Sequence, residues 1–189
     1  MEEGLKTQVV KHPGQILAMG HTPMATPEQI QRMKELGIRN GIGPWHVFTD
    51  SMIEAAFTQY GTERVGQMEA FQSYLKAGLK PSLEGDTFDD PPFWKFYAAI
   101  TRKDQKYGRV WNPAEKVTRQ EALWMGTING AYQLGEDNKL GSIEPGKLAD
   151  FIVLDRDYMT IPEDDLPKIK VLLTIVGGKV VYEAQGGLK

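Results

Sequence analysis

The sequence predicts an α/β protein whose first part is built of parallel strand–helix units and whose last part is a separate all-β element. Three observations lead there. Short apolar runs at residues 15–19, 38–42 and 81–83 alternate with stretches of helical periodicity. Two of those stretches open on a capping box, Thr26-Pro27-Glu28-Gln29 and Thr118-Arg119-Gln120-Glu121. From Gly141 onward the pattern turns strand-like, with Gly177-Gly178 placed as a two-residue hairpin turn between apolar arms.

Taken in order, residues 1–13 show little pattern. Residues 15–19, bounded by Pro13-Gly14 and Gly20, read as a buried strand that leads into His21. Thr26 caps a helix with Pro27 at its first position; Ile30, Met33 and Leu36 supply its apolar face and Gly37 its stop. A second strand over 38–42 is broken by Gly43-Pro44, and a helix-rich stretch over 51–77 is interrupted near Gly61-Thr62. Residues 81–83 form a third strand ending on Glu84-Gly85-Asp86; Asp89 to Pro92 is turn chemistry, 93–101 a short helix and 103–113 a loop. The helix capped by Thr118 runs to Leu134 and stops at Gly135, burying Ala122, Leu123, Met125, Ile128, Ala131 and Tyr132. Residues 148–154 and 171–183 are the final strands. Three strand–helix units cannot close an eight-stranded barrel. The chain is therefore expected to be a piece of a longer polypeptide, with a wall supplied by another chain as the alternative.

Composition narrows the function classes. The 189 residues carry a net charge of -3 with Lys and Arg scattered, which gives no basic field for nucleic acid. No apolar run approaches the roughly 18 residues of a membrane span, and the first residues lack the layout of a secretory signal. Cysteine is absent, so disulfides and thiolate ligands are excluded and a cytoplasmic location is expected. Any metal must be held by His, Asp or Glu, and the only histidines are His12, His21 and His46.

Several segments carry a resemblance: Val117-Thr-Arg-Gln-Glu-Ala-Leu123, Thr127-Ile-Asn-Gly-Ala-Tyr132, Gly141-Ser-Ile-Glu-Pro-Gly-Lys-Leu-Ala-Asp150, Phe151-Ile-Val-Leu-Asp155, Val176-Gly-Gly-Lys-Val-Val-Tyr182 and Ala98-Ala-Ile-Thr-Arg102. Together they resemble the amidohydrolase superfamily, in its type-3 branch that includes N-substituted formamide deformylases. The resemblance implies a (β/α)8 metallo-dependent hydrolase barrel with a small sandwich. Its active site lies at the carboxyl-terminal mouth, where one or two divalent metals are held by a His-x-His pair, a mid-barrel ligand, further histidines and an Asp on the last strand. The expected fold is then a partial barrel, about strands six to eight, over residues 1–138, with a β-sandwich segment over 139–189. No His-x-His occurs in the chain, so most of the metal site is expected to lie outside it.

By that resemblance His21 matches the strand-six histidine and Asp86 the terminal Asp, which binds metal and moves a proton from the attacking water to the leaving nitrogen. Without it, His21 reads as an ordinary partly buried histidine and Asp86 as a turn residue. Where the family shows Gly-Ser-Asp, this chain has Glu84-Gly85-Asp86, a departure that touches the hydrogen bonds around the ligand more than the ligand itself. Trp45 and His46 follow the second strand and face either the mouth, as substrate-pocket residues, or the packing around it. Arg102 either anchors a loop, the first expectation, or meets a substrate carboxylate. His12 reads as incidental, Thr127 and Asn129 as helix-packing groups, Phe93 to Tyr97 as core aromatics, and Glu163-Asp164-Asp165 as a solvated loop.

The function this implies is hydrolysis of a C–N bond, amide or N-formyl, in a small molecule, by water activated on a divalent metal such as zinc. The alternative is a catalytically inactive remnant that persists by homo-oligomerising through exposed strand edges and apolar patches. Substrate identity sits in loops that the sequence does not decode.

Overall fold

The structure, a computed structural model, describes residues 15–44, 50–85 and 91–186, with side chains of the middle stretch from residue 53. His12, Trp45, His46 and Asp86 lie outside the described residues.

Three short parallel strands form the first sheet, in the order β1 (Ala18–Met19), β2 (Arg39–Ile42), β3 (Ser82–Leu83). Ala18 pairs with Arg39 and Gly41 with Ser82. The first strand is shorter than residues 15–19 because its partner begins at Arg39; upstream, the Arg39 amide adds only a bond to the Leu17 carbonyl at 2.8 Å. Helix α1 (Pro27–Glu35) joins β1 to β2 and starts where the sequence predicts. Thr26 Oγ1 accepts the Gln29 amide at 3.3 Å while Gln29 Oε1 accepts the Thr26 amide at 2.9 Å, which satisfies two donors a helix start would otherwise leave open. Ile30 and Met33 are buried, and Gly37 at φ +65 turns the chain into β2.

Helix α2 (Asp50–Gln67) is broken at Gly61, whose φ of 74 and ψ of 169 lie outside helical space, as the sequence suggested. A second break separates it from α3 (Phe71–Lys76). There Glu69 adopts a left-handed φ of 53 and its amide donates to the Pro23 carbonyl at 2.8 Å. After β3 comes α4 (Trp94–Thr101). The expected single helix from residue 119 to 134 is two, α5 (Arg119–Gly126) and α6 (Ile128–Leu134), broken at Thr127 with φ -130 and ψ -92. Tertiary contacts on both sides of the break account for it. Gly126 packs on the Phe96 ring, Thr127 Oγ1 bonds back to the Leu123 carbonyl at 2.6 Å, and Asn129 Nδ2 donates to the Pro81 carbonyl at 3.0 Å.

Alternation along β2 and β3 puts Asn40, Ile42 and Leu83 on the face buried in the main core, with Ile30, Met33, Val65 and Phe71 in the same cluster. Arg39, Gly41 and Ser82 lie on the other face. Helix α6 covers the amino-terminal ends of the strands. The Tyr132 carbonyl accepts from Arg39, whose guanidinium stacks 4.0 Å over the Tyr132 ring; Ser82 bonds Gln133, and Gly135 abuts Ile16.

The second sheet is antiparallel, in the order β4 (Phe151–Leu154), β5 (Val171–Val176), β6 (Lys179–Glu183). Its hairpin pairs Val176 with Lys179 across Gly177 and Gly178, at φ 57 and 76, the two left-handed residues that a tight hairpin turn requires. The acidic run expected to be a solvated loop does keep Glu163 and Asp164 exposed, but it forms a 3-10 helix (Glu163–Lys168) docked on α4. Leu166 is fully buried, and Asp164 accepts from the Tyr97 hydroxyl at 3.1 Å and from Lys103 Nζ at 3.2 Å. Phe93, Trp94 and Phe96 are core residues, and the rings of Phe93 and Phe96 pack on Tyr158. No described helix is long and apolar enough to cross a membrane.

Candidate metal-binding mouth

The carboxyl-terminal ends of the three parallel strands converge on His21, Gly41 and Glu84. His21 follows β1 with a left-handed φ of 48, an uncommon conformation for a residue bearing a Cβ. Its amide donates to Glu84 Oε2 at 2.9 Å, and its ring Nδ1 stands 3.5 Å from the same oxygen. The His21 side chain is 50% exposed and that of Glu84 20%, so both reach solvent at the mouth. The Glu84 amide donates in turn to the Ile42 carbonyl at 2.9 Å, fastening β3 to β2 at this end.

Below His21 the chain is held more firmly. Thr22 is buried, its hydroxyl donating to the Gly41 carbonyl at 3.1 Å, and its carbonyl accepts the Tyr74 hydroxyl at 3.0 Å. Burial pushes the Tyr74 phenol up to about 12, with the neighbouring Glu69 carboxylate adding to the effect. This hydrogen-bonded floor supports the half-exposed histidine above it.

Two charged residues at the mouth were not singled out in the sequence. Glu84 is one; its signal is its place directly after the third strand, opposite a glycine in the second. Lys95 on α4 is the other. Its Nζ comes within 3.7 Å of where a Cβ on Gly85 would stand, and burial holds its amine below the usual lysine range. Nothing local in the sequence marks it.

Of the predicted site residues, the structure places His21 at the mouth and Arg102 away from it. Arg102 has no exposed surface; Nε donates to the Trp111 carbonyl at 2.6 Å, Nη1 to Glu69 at 2.5 Å and Nη2 to Met68 at 2.9 Å. Burial lowers the guanidinium to about 10, against the opposing pull of Glu115 and Glu69, and it stays charged at neutral pH. A hollow of about 670 Å3 opens between the start of α1, the end of α2 and α3, lined by Thr26, Tyr60, Arg64, Ser73 and Glu115; neither His21 nor Glu84 lines it.

An imidazole nitrogen and carboxylate oxygens are the donor types that zinc and related divalent ions take. The described residues fit one flank of such a site. No group of three or more potential ligands occurs among them, and Asp86 follows Glu84 by two positions outside them.

Comparison with known proteins gives the mouth its context. The family model described as "Amidohydrolase family" matches residues 5–182. The N-substituted formamide deformylase of Arthrobacter pascens is 34% identical over 177 residues, which are 90% of this chain and 32% of that protein. Protein LONG AFTER FAR-RED 3 of Arabidopsis thaliana is 32% identical over 165 residues, 86% of this chain and 28% of that one. Among solved structures, an uncharacterized metal-dependent hydrolase from Pyrococcus horikoshii superposes with a TM-score of 0.66 at 22% identity, over 86% of this chain and 33% of that one. The chain thus spans about a third of the length of the relatives it matches.

Proposed function

The chain belongs to the amidohydrolase family, and from that premise we propose that its three parallel strands stand as strands six to eight of a (β/α)8 metallo-dependent hydrolase barrel. Residues 1–138 are the barrel part and 139–189 a segment of the accompanying β-sandwich. The activity we assign is hydrolysis of a C–N bond in a small amide or N-formyl compound, with a divalent metal, zinc first, as cofactor. The observation that carries this reading is the gathering of His21 and the Glu84 carboxylate at the carboxyl ends of the strands, with Asp86 two residues on. That is the end of a parallel barrel where chemistry is placed.

A bound zinc supplies a Lewis acid that polarises the scissile carbonyl and brings the pKa of water to about 7. His21 would hold it through a ring nitrogen, and Asp86 through its carboxylate. Asp86 would also take the proton of the attacking water and pass it to the departing nitrogen, so that amide and water leave as acid and amine. Trp45 and His46 would line the substrate pocket. Full burial and three main-chain bonds favour a scaffold role for Arg102 over contact with substrate. The test is elemental analysis of the purified chain beside Asp86→Asn and His21→Ala. We expect roughly one divalent ion per chain, lost in both variants. Variants that keep the metal overturn the ligand assignment; a chain without metal is a structural piece of the site, and the same two variants then test the assignment in the full-length protein.

One observation favours a second reading, of a non-catalytic chain that self-associates. Phe151, Ile152, Val180, Val181 and Tyr182 of the small sheet are exposed apolar residues, and every residue of β6 is exposed. Sedimentation of the chain as a homo-oligomer without metal supports that reading; a clean monomer removes it.

A further inference from the structure

Glu84 is the side chain that links the three strand ends, through contacts that a chance surface carboxylate would not collect. Its Oε2 takes the His21 main-chain amide at 2.9 Å, a firm bond, and stands within ion-pair reach of Nδ1 at 3.5 Å. The carboxylate lies across Gly41, where any Cβ would fall inside it, and within 3.1 Å of the place a Cβ on Gly20 would occupy. Two glycines, Gly41 in β2 and Gly20 just after β1, therefore leave the room that this one side chain fills. His21 meanwhile keeps a left-handed φ of 48, and the amide exposed by that turn is the one Glu84 accepts.

A histidine that ligates a metal through one nitrogen commonly gives the N–H of the other to a carboxylate, which fixes the tautomer and aims the ring. Resting on the metal-site reading above, we propose that Glu84 is a positioning residue for His21. Its carboxylate holds the main chain and draws the ring proton to Nδ1, which leaves Nε2 as the nitrogen offered to the mouth. Gly41 belongs to the same device, since a side chain there would displace the carboxylate, and Gly20 borders it, since a Cβ there would press on the same oxygen.

The experiment uses the full chain, with zinc affinity measured by chelator competition in the wild type, His21→Ala, Glu84→Gln and Glu84→Asp. Nitrogen chemical shifts of the histidine rings are read without metal, His21 being assigned by its loss in His21→Ala. We expect Glu84→Gln to keep the wild-type circular dichroism and melting midpoint, to bind zinc about 10- to 100-fold more weakly, and to lose the bias toward the Nδ1–H tautomer. Glu84→Asp, which retracts the carboxylate by one methylene, should weaken zinc in the same direction, and it stands in if the glutamine variant does not fold. Wild-type affinity and an unchanged tautomer in the Glu84 variants, with zinc lost in His21→Ala, would refute the role of Glu84 while leaving the metal site standing. Zinc indifferent to His21 sinks the metal reading instead; where the wild type takes up no zinc because this chain holds only part of the ligand set, the ring shifts decide alone whether Glu84 sets the tautomer, and an unchanged tautomer in the Glu84 variants refutes it.

Discussion

Replacing Arg102 should be the most costly single change short of the core. The side chain is fully buried, and its three nitrogens donate to the carbonyls of Met68, Glu69 and Trp111. Those carbonyls sit in the turn between α2 and α3 and in the loop after α4, so one guanidinium ties two irregular segments to the end of a helix. Arg102→Met keeps much of the apolar stem and removes the charge, which relieves the desolvation that lowers this guanidinium to about 10. It leaves three carbonyls to find other partners. At about 1–3 kcal/mol for each acceptor stranded in the interior, and with loop carbonyls able to recover some water, the low end of the sum applies: a loss of about 3 kcal/mol. With an m-value of about 2 kcal/mol/M in urea, the unfolding midpoint should fall by about 1.5 M. Arg102→Lys keeps the charge but lacks the planar fork whose three nitrogens reach three separate carbonyls, and should recover only a small part. A shift for Arg102→Met of less than about 0.3 M, the scale of an exposed substitution, would mean the three bonds contribute nothing net, and the scaffold role given to Arg102 would fall.

Other expectations follow from the caps and the buried phenols. Thr118→Ala should cost about 1 kcal/mol by opening the start of α5, read as a lower melting temperature with the same far-ultraviolet spectrum. Partial burial raises the Glu121 carboxyl, but its bonds with Thr118 and Gln72 together outweigh this and hold it below its ordinary value of 4.5. A carboxyl lowered by folding stabilises above its unfolded value and loses that contribution as pH falls through the folded one. The capping box should therefore weaken below pH 4.5, and Glu121→Gln should flatten that acid dependence of the melting temperature. Tyr74 is the opposite case: pushed up to about 12 from 10.0, its neutral form stabilises fully below pH 10 and is lost as pH rises toward 12. Ultraviolet titration should show a late-ionising phenol that disappears in Tyr74→Phe, while Tyr158, also raised by burial, remains.

What could be read from the sequence was chemistry that acts over a few residues. The capping boxes at Thr26 and Thr118, the break at Gly61 and the Gly177-Gly178 hairpin each depend on local backbone geometry, and each lies where it was expected. The break at Thr127 was hidden because the apolar pattern runs on through it, and its causes lie in Phe96 and Pro81, distant in the chain. The docking of the acidic turn at 163–165 was hidden for the same reason, since its partners are Tyr97 and Lys103. At the mouth, His21 was singled out through its position after an apolar run and through resemblance. Glu84 was not, because its meaning depends on a glycine in β2 and another just after β1. Trp45, His46 and Asp86 lie outside the described residues.

The two ends of the parallel sheet are built for different purposes, and the difference shows in their side chains. At the amino-terminal end, bonds from Asn129 and Ser82 to their partners and the stack of Arg39 on Tyr132 close the sheet with α6. These are polar groups each satisfied by a partner across the sheet–helix contact, an arrangement that favours rigidity. At the carboxyl-terminal end the sheet carries glycines where side chains could have packed, a histidine in an uncommon backbone region and a carboxylate reaching across the gap. A left-handed non-glycine residue costs roughly 1–2 kcal/mol, and it persists where surrounding structure over-determines it. Here the Glu84 bond to the His21 amide and the buried Thr22 beneath supply that constraint. Substitutions at the α6 end should therefore lower stability and leave metal affinity alone. Glu84→Gln should show the opposite pattern, with the melting midpoint kept and metal affinity lowered, because the half-exposed carboxylate contributes little to the fold while it sets the aim of the histidine.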